Sequence, residues 1–270
     1  MKILELKNVN FYFSNKKVID NISLDIYDNE IISIVGHNGS GKTTLGKIIA
    51  LLLKINSGDM FFCGQKINFD CDNFDIHRNI GFVFQNPDNQ FFGATVRDDI
   101  AFGLENNAIS ADEMEYKIQS VAKEIGIIDL LDKDVQCLSG GQKQKVAIAD
   151  ILVLNPKIII FDESFAMLDN ENKKKILHLI KTIKDKKHIT IIHITHNLEE
   201  TLNSDRIIVM NHGKIFLEGN PNFIFSQEQK LCSIGFKIPF IIELNKKLND
   251  ACLLKDNFYD LESLVNNICK

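Results

Sequence analysis

Gly36-His37-Asn38-Gly39-Ser40-Gly41-Lys42-Thr43 is the stretch from which the rest of the chain can be read. It fits G-x-x-x-x-G-K-[ST], the phosphate-binding P-loop. Before it, Glu30 to Val35 is a short apolar run of the length of a buried strand. After it, Thr44 to Leu53 is apolar and long enough for a buried helix. A loop between a strand and a helix is the context the motif needs. Gly36, Gly39 and Gly41 let the backbone wrap close to phosphate groups, and the amides of Asn38, Ser40 and the helix start can point at them. Lys42 is placed to reach the β- and γ-phosphates of a nucleotide, and the Thr43 hydroxyl to ligate Mg²⁺.

Composition narrows the classes. The chain has 270 residues, enough for one large domain or a domain with an appendage. Hydrophobic residues make up 45% and charged residues 25%, ordinary values for a globular chain. The net charge of −5 gives no global field to recruit nucleic acid, so no nucleic-acid partner is expected. Six cysteines are scattered without a C-x-x-C pair, which suits reduced thiols and not a zinc site. Met1 to Lys7 carries charges every second or third residue and has no signal-peptide core. The apolar run Ile48 to Leu53 is far short of a membrane span, so membrane association is expected only through partners.

In chain order, residues 2–13 read as a strand, Ser14 to Lys17 as a hairpin turn, and Val18 to Ile26 as a half-buried antiparallel strand. Short strands are expected at Met60 to Cys63 and Lys66 to Phe69, and buried strands at Ile80 to Phe84, Lys157 to Glu163 and Ile189 to Thr195. Thr95 caps a predicted helix running to about Leu104, and Ser110 with Glu113 reads as a capping box for a helix to Ile125. Further helices are expected from Gln142 to Leu154, Asn170 to Asp185 and Asn197 to Leu202. Arg206 to Met210 and Lys214 to Glu218 form a hairpin across Asn211-His212-Gly213. Strands alternating with helices imply a largely parallel sheet. Beyond residue 220 the pattern changes: Pro221 and Pro239 sit where helices can begin, and Phe240, Ile241, Leu244 and Leu248 have helical spacing, as do Phe258, Leu261, Leu264, Val265 and Ile268. An interaction surface and a tail packed on its own domain fit this appendage equally.

Asp162-Glu163 ends an apolar strand, and the pair resembles a Walker B end. Asp162 would hold Mg²⁺ mostly through water, and Glu163 would act as general base on the attacking water. Leu138-Ser139-Gly140-Gly141-Gln142 resembles the signature of the ABC-transporter ATPases. Chemically it is a second anion site: a serine hydroxyl, two glycine amides and a helix N-terminus. The resemblance implies that Ser139, Gly140, Gly141 and Gln142 face the ATP held by another subunit's P-loop. It also implies that Gln85 is the glutamine that senses Mg²⁺ and water, that Ser164 to Asp169 crosses a dimer interface, that His196 is the switch histidine at the γ-phosphate, and that Thr44 touches the α-phosphate. The family's adenine-stacking Tyr is matched by Phe13, with Tyr12 beside it; either ring offers a π-face. Lys145 stands where Arg is common.

The implied fold is α/β, a P-loop NTPase of ABC type: a mixed sheet core, an antiparallel β subdomain and a helical signature subdomain. The expected division is 1–219 for the ATPase domain, with a helical subdomain at about 86–155, and 220–270 for a small C-terminal helical region. Gly81 to Val96 and Asp98 to Asn106 resemble the ATPases of energy-coupling factor (ECF) importers, and Asn86-Pro87-Asp88-Asn89-Gln90 is similar to the first of their two ATPase paralogues; Ile224 to Ser226 and Ile238 to Phe240 resemble that group's C-terminal region. This implies ATP and Mg²⁺ as cofactors and a heterodimer with a second, related ATPase. It also implies a transmembrane coupling subunit, a substrate-binding membrane subunit, and a peripheral place on the cytoplasmic face of the cell membrane, with vitamins or metal ions as cargo. Phe91 and Phe92 either dock a partner helix or tuck into the local core. The rival readings are the ATPase of another ABC importer or exporter, a soluble ABC ATPase outside transport, and a regulatory module without catalysis; intact Glu163 and His196 oppose the last.

Overall fold

The computed structural model describes all residues except 72, 167, 252–257, 260 and 269–270. Met167, within the Ser164 to Asp169 stretch, therefore lies outside the described residues. In chain order the strands are β1 (Lys2–Phe13), β2 (Lys16–Tyr27), β3 (Ile31–Val35), β4 (Ser57–Phe62), β5 (Gln65–Lys66), β6 (Ile80–Val83), β7 (Ile158–Asp162), β8 (Thr190–Thr195), β9 (Arg206–Asn211) and β10 (Lys214–Gly219). The helices are α1 (Lys42–Ile49), α2 (Phe74–His77), α3 (Val96–Glu105), α4 (Ala111–Ile125), α5 (Gly140–Leu152), α6 (Asn170–Lys187), α7 (Pro221–Ser226), α8 (Glu228–Ser233), α9 (Phe240–Asp250) and α10 (Leu261–Ile268).

Alternating apolar residues make β1 and β2 an antiparallel hairpin, with Leu4 opposite Ile26 and Leu6 opposite Leu24. With β4 and β5 they form one sheet, ordered β2-β1-β4-β5. The second sheet is ordered β10-β9-β3-β8-β7-β6. Its strands from β6 to β9 run parallel, and β10 is an antiparallel edge. The central strands are apolar throughout because both faces are covered. One face, with α1, packs on the first sheet through Ile34, Leu45, Ile48 and Ile192. On the other, Phe161 and Ile191 join a core built from α3, α4, α5 and α6. A third cluster seats α7, α8, α9 and α10 against Ile207 and Val209 of β9. Among the described residues no helix is long and apolar enough to cross a membrane.

Several boundaries differ from expectation. The helix after the P-loop stops at Ile49 and not at Leu53. Leu51 turns left-handed (φ 58°), its N–H reaches Ile48 O and the Leu52 N–H reaches Lys47 O, a helix stop usually made by glycine. Here leucine occupies that position, so the apolar run conceals the stop. Ser110 precedes α4 without a side-chain cap bond, so its capping box does not form. The signature helix starts at Gly140, two residues early, because Ser139 and Gln142 make a reciprocal capping box. The segment after His196 is a 3₁₀ turn (Leu198–Thr201), and of the expected Lys66 to Phe69 strand only Lys66 is in a strand, β5 (Gln65–Lys66).

Candidate active site

The P-loop crosses from β3 to α1 at the end of the sheet where β7 and β8 also terminate. Its backbone requires glycine at two kinds of position. Gly41 has φ 101° and sits as the N-cap of α1, in the left-handed region. At Gly36 a Cβ would meet Ser40 Oγ at 2.4 Å and Met210 O at 2.6 Å. The Ser40 hydroxyl is buried without a hydrogen-bond partner.

Lys42 is buried, and its Nζ donates to His37 O at 3.1 Å and lies 3.6 Å from Glu163 Oε1. Burial pulls this ammonium below its ordinary value, and the Glu163 and Asp162 carboxylates oppose the shift. A bound phosphate would add a further negative charge and favour the ammonium form that burial disfavours. Thr43 Oγ1 donates to Asp162 Oδ1 at 2.9 Å, so the residues expected to share Mg²⁺ already touch. Burial raises the Asp162 carboxyl above its usual range, against the lowering effect of the Thr43 hydroxyl. These are hard oxygen donors, and Mg²⁺ takes one or two such protein ligands beside phosphate and water. Glu163 has φ 47°, uncommon for a side chain other than glycine, and its N–H is held by Ile194 O at 2.9 Å. That turn aims its carboxylate at Lys42 and at His196, whose Nδ1 lies 3.3 Å from Glu163 Oε2.

An open cleft of about 620 Å³ runs along the loop. Of the residues expected here, Asn38, Gly39, Gly41, Lys42, Thr43, Thr44, Gln85 and Glu163 line it. Asp162 and His196 stand one contact behind, through Thr43 and Glu163. Ser139 to Gln142 and Phe13 are not in its lining. Phe13 is 52% exposed at the end of β1 with its ring edge-on to Phe11, while Lys17 lies over the Tyr12 ring. The lining also contains Lys16, Lys17 and Val18 from β2 and His212-Gly213 from the β9–β10 turn, which the sequence reading did not nominate. Gly213 N–H donates to Ser40 O at 3.0 Å, so that turn braces the P-loop. Its Asn-His-Gly signal is legible as a turn, but its tertiary placement is not.

The loop after β6 is pinned to the signature helix. Gln90 Nε2 donates to Ala147 O at 3.1 Å and Lys143 Nζ lies 2.6 Å from Asp88. Phe91 packs half-buried on the helical core, whereas Phe92 is 73% exposed and stacks on Phe102 at 5.0 Å. Phe91 thus tucks into the local core, and Phe92 does not.

A family model described as ABC transporter matches residues 19–166. The chain belongs to that family. As an ABC ATPase it is 44% identical, over 270 residues, to the "Energy-coupling factor transporter ATP-binding protein EcfA" of Malacoplasma penetrans, covering 100% of this chain and 94% of the relative. It is 44% identical over 268 residues to the corresponding EcfA1 of Mycoplasmoides gallisepticum, covering 99% and 95%. Among solved structures, cbiO1 from Clostridium perfringens, described as part of an ABC transporter complex, aligns with a TM-score of 0.78 at 34% identity, covering 91% and 99%. The chain is thus an ABC ATPase of the energy-coupling-factor type, as the resemblance of its Asn86 to Gln90 stretch implies.

Proposed function

We propose that this chain is the ATP-binding and ATP-hydrolysing subunit of an energy-coupling-factor importer, working beside a second, related ATPase on transmembrane coupling and substrate-binding subunits. The observation that carries the catalytic reading is the chain of contacts Thr43–Asp162 and Lys42–Glu163–His196 at one P-loop. The backbone of residues 38–43 cradles the phosphates, Lys42 neutralises the β- and γ-phosphates, and Thr44 meets the α-phosphate. Thr43, Asp162 and Gln85 would hold Mg²⁺, whose charge offsets that of the phosphates during transfer. Glu163 takes the proton of the attacking water, and His196 orients that carboxylate and the γ-phosphate. Ser139, Gly140, Gly141 and Gln142 serve the partner's nucleotide, which fits their absence from the lining of this chain's own cleft. Phe13 or Tyr12 stacks on adenine.

Residues 1–219 supply the ATPase and residues 220–270 a C-terminal interaction region. The exposed Phe92–Phe102 pair, beside the Gln85 loop, presents an aromatic patch for a helix of the coupling subunit at the cytoplasmic membrane face. Affinity purification of the chain from detergent-solubilised membranes tests the assembly. A distinct second ATPase and a polytopic protein in equal amounts are expected. Two copies of this chain on an ordinary permease would move the assignment to another class of ABC importer.

A further inference from the structure

One buried carboxylate ties the switch segment to the loop after β7. Glu200 lies in the 3₁₀ turn after β8, with its side chain 12% exposed. Its Oε2 accepts a hydrogen bond from Thr195 Oγ1 at 2.8 Å and lies 3.3 Å from His193 Nε2. Its Oε1 accepts from Lys173 Nζ in the first turn of α6. Burial alone would raise this carboxyl; His193, Lys173 and Thr195 outweigh it and hold it at about 2. It is therefore a charged hub with three partners on two elements.

Each partner leads toward the reacting centre. Thr195 immediately precedes His196, and its hydroxyl also accepts the Asn197 N–H at 3.1 Å, so both sides of the histidine are fixed through one oxygen. His196 itself is 54% exposed, and among the described residues its ring meets the Glu163 carboxylate alone in polar contact, so its backbone sets where the ring stands. The His193 ring packs on Phe165 at 5.4 Å. Phe165 belongs to the loop that starts at Glu163, and Ser164 Oγ anchors that loop by donating to Val83 O at 2.9 Å. Lys173 N–H bonds Asp169 O at 2.9 Å, where the same loop ends.

We infer that Glu200 is a positioning residue for ATP hydrolysis, fixing through Thr195, His193 and Lys173 the placement of His196 relative to Glu163 and its loop. This rests on the roles proposed above for Glu163 and His196. Glutamine at 200 keeps the shape but offers one acceptor oxygen where Thr195 and Lys173 now use two, and it removes the charge facing Lys173 and His193, so one of the two hydrogen bonds is lost. Misplacement of the switch lowers the chemical step and leaves the phosphate cradle untouched.

The test measures ATP hydrolysis and ATP binding in the full chain assembled with its membrane partners. Glu200→Gln is expected to lower kcat by about ten-fold with KM for ATP within about two-fold. Thr195→Val, nearly isosteric but without the hydroxyl, should reproduce that split, and Thr195→Ser should restore most of the rate. The double variant Glu200→Gln/Thr195→Val should fall no further than Glu200→Gln alone, because both break one unit. Wild-type kcat in both Glu200→Gln and Thr195→Val would overturn the inference. Equal losses in Thr195→Ser and Thr195→Val would also overturn it, since they mark packing and not the hydroxyl. Glu163→Gln measured alongside separates the two levels. Its loss of turnover beside wild-type rates in the other variants removes only the positioning role, whereas wild-type turnover in Glu163→Gln removes the catalytic reading and this inference with it.

Discussion

Glu163 holds a left-handed backbone at the end of β7, a conformation that costs a non-glycine residue about 1–2 kcal/mol. The turn is kept by its N–H on Ile194 O and by the buried Ser164 and Phe165 that follow. Glu163→Gln preserves size and leaves Lys42 and Thr43 in place. Phosphate release at saturating ATP should fall by about 10²–10⁴-fold while ATP still binds with near-native affinity, as measured by equilibrium dialysis. A second carboxyl, Asp150 in α5, is buried against Asp99, whose Oδ1 already accepts the Phe92 and Gly93 N–H groups at 2.6 Å. Both Asp150 oxygens lack a donor. Burial, reinforced by the Asp99 charge, holds the Asp150 carboxyl well above its ordinary value. The folded chain therefore binds this proton more tightly than the unfolded chain. Its contribution to stability is complete below the ordinary Asp range and is lost as pH rises through the raised value. Asp150→Asn should raise Tm by a few degrees at about pH 8, since about 1 kcal/mol moves a chain of this size by roughly 2–4 °C. Thermal melts across pH should show that advantage closing toward about pH 4.

At the scale of elements, the connection between α8 and α9 reaches back to the P-loop. The His37 ring stacks on Phe236 with centroids 4.4 Å apart, and its Nε2 lies 2.8 Å from Ile234 O. Gly235 between them has φ 88°, and a Cβ there would stand 3.3 Å from His37 Nε2. The appendage thus braces the second residue of the phosphate loop. His37→Ala removes the stack and the hydrogen bond, and Gly235→Ala strains the same contact. Each should raise the Kd for ATP about five-fold, the effect of about 1 kcal/mol, in a direct binding titration. An unchanged Kd in both variants would show that the brace does not act on the loop. Sequence patterns expose local devices of this kind unevenly. The P-loop, the Ser139 to Gln142 signature and the Walker-like acids are each written in consecutive residues, so spacing reveals them, whereas the capping box that starts the signature helix at Gly140 is not among those readings. The Leu51 stop is not, because it depends on a left-handed leucine inside an apolar run. The Lys16 to Val18 and His212 walls of the cleft are also hidden, since each lies in a hairpin whose distant packing puts it beside the loop. The His37–Phe236 stack joins positions 199 residues apart in numbering (236 − 37), and no period in the sequence marks it.

At the scale of the whole molecule, the proposed roles give the chain one half of each of two sites rather than one complete site. The cleft at the P-loop is open, and Ser139 to Gln142 do not reach it. They sit instead at the start of α5, with Gly141 facing Asn172 at the start of α6. A helix N-terminus with glycine amides is suited to an anion, and on the proposed reading that anion is the nucleotide of another chain. Two such chains, or this chain and the second ATPase proposed above, arranged head to tail would close both proposed sites at once, each P-loop meeting the other's serine. Closure would also exclude water around Lys42 and Glu163, where desolvation strengthens every charge contact to the nucleotide. The isolated chain should therefore bind ATP yet hydrolyse it slowly, with specific activity rising as concentration favours pairing. Phosphate release by the purified chain, followed over a range of dilutions beside its sedimentation behaviour, checks this. A rate that stays high and constant in a sedimenting monomer would mean that the chain completes its own site, and the role given to Ser139 and its neighbours would have to be withdrawn.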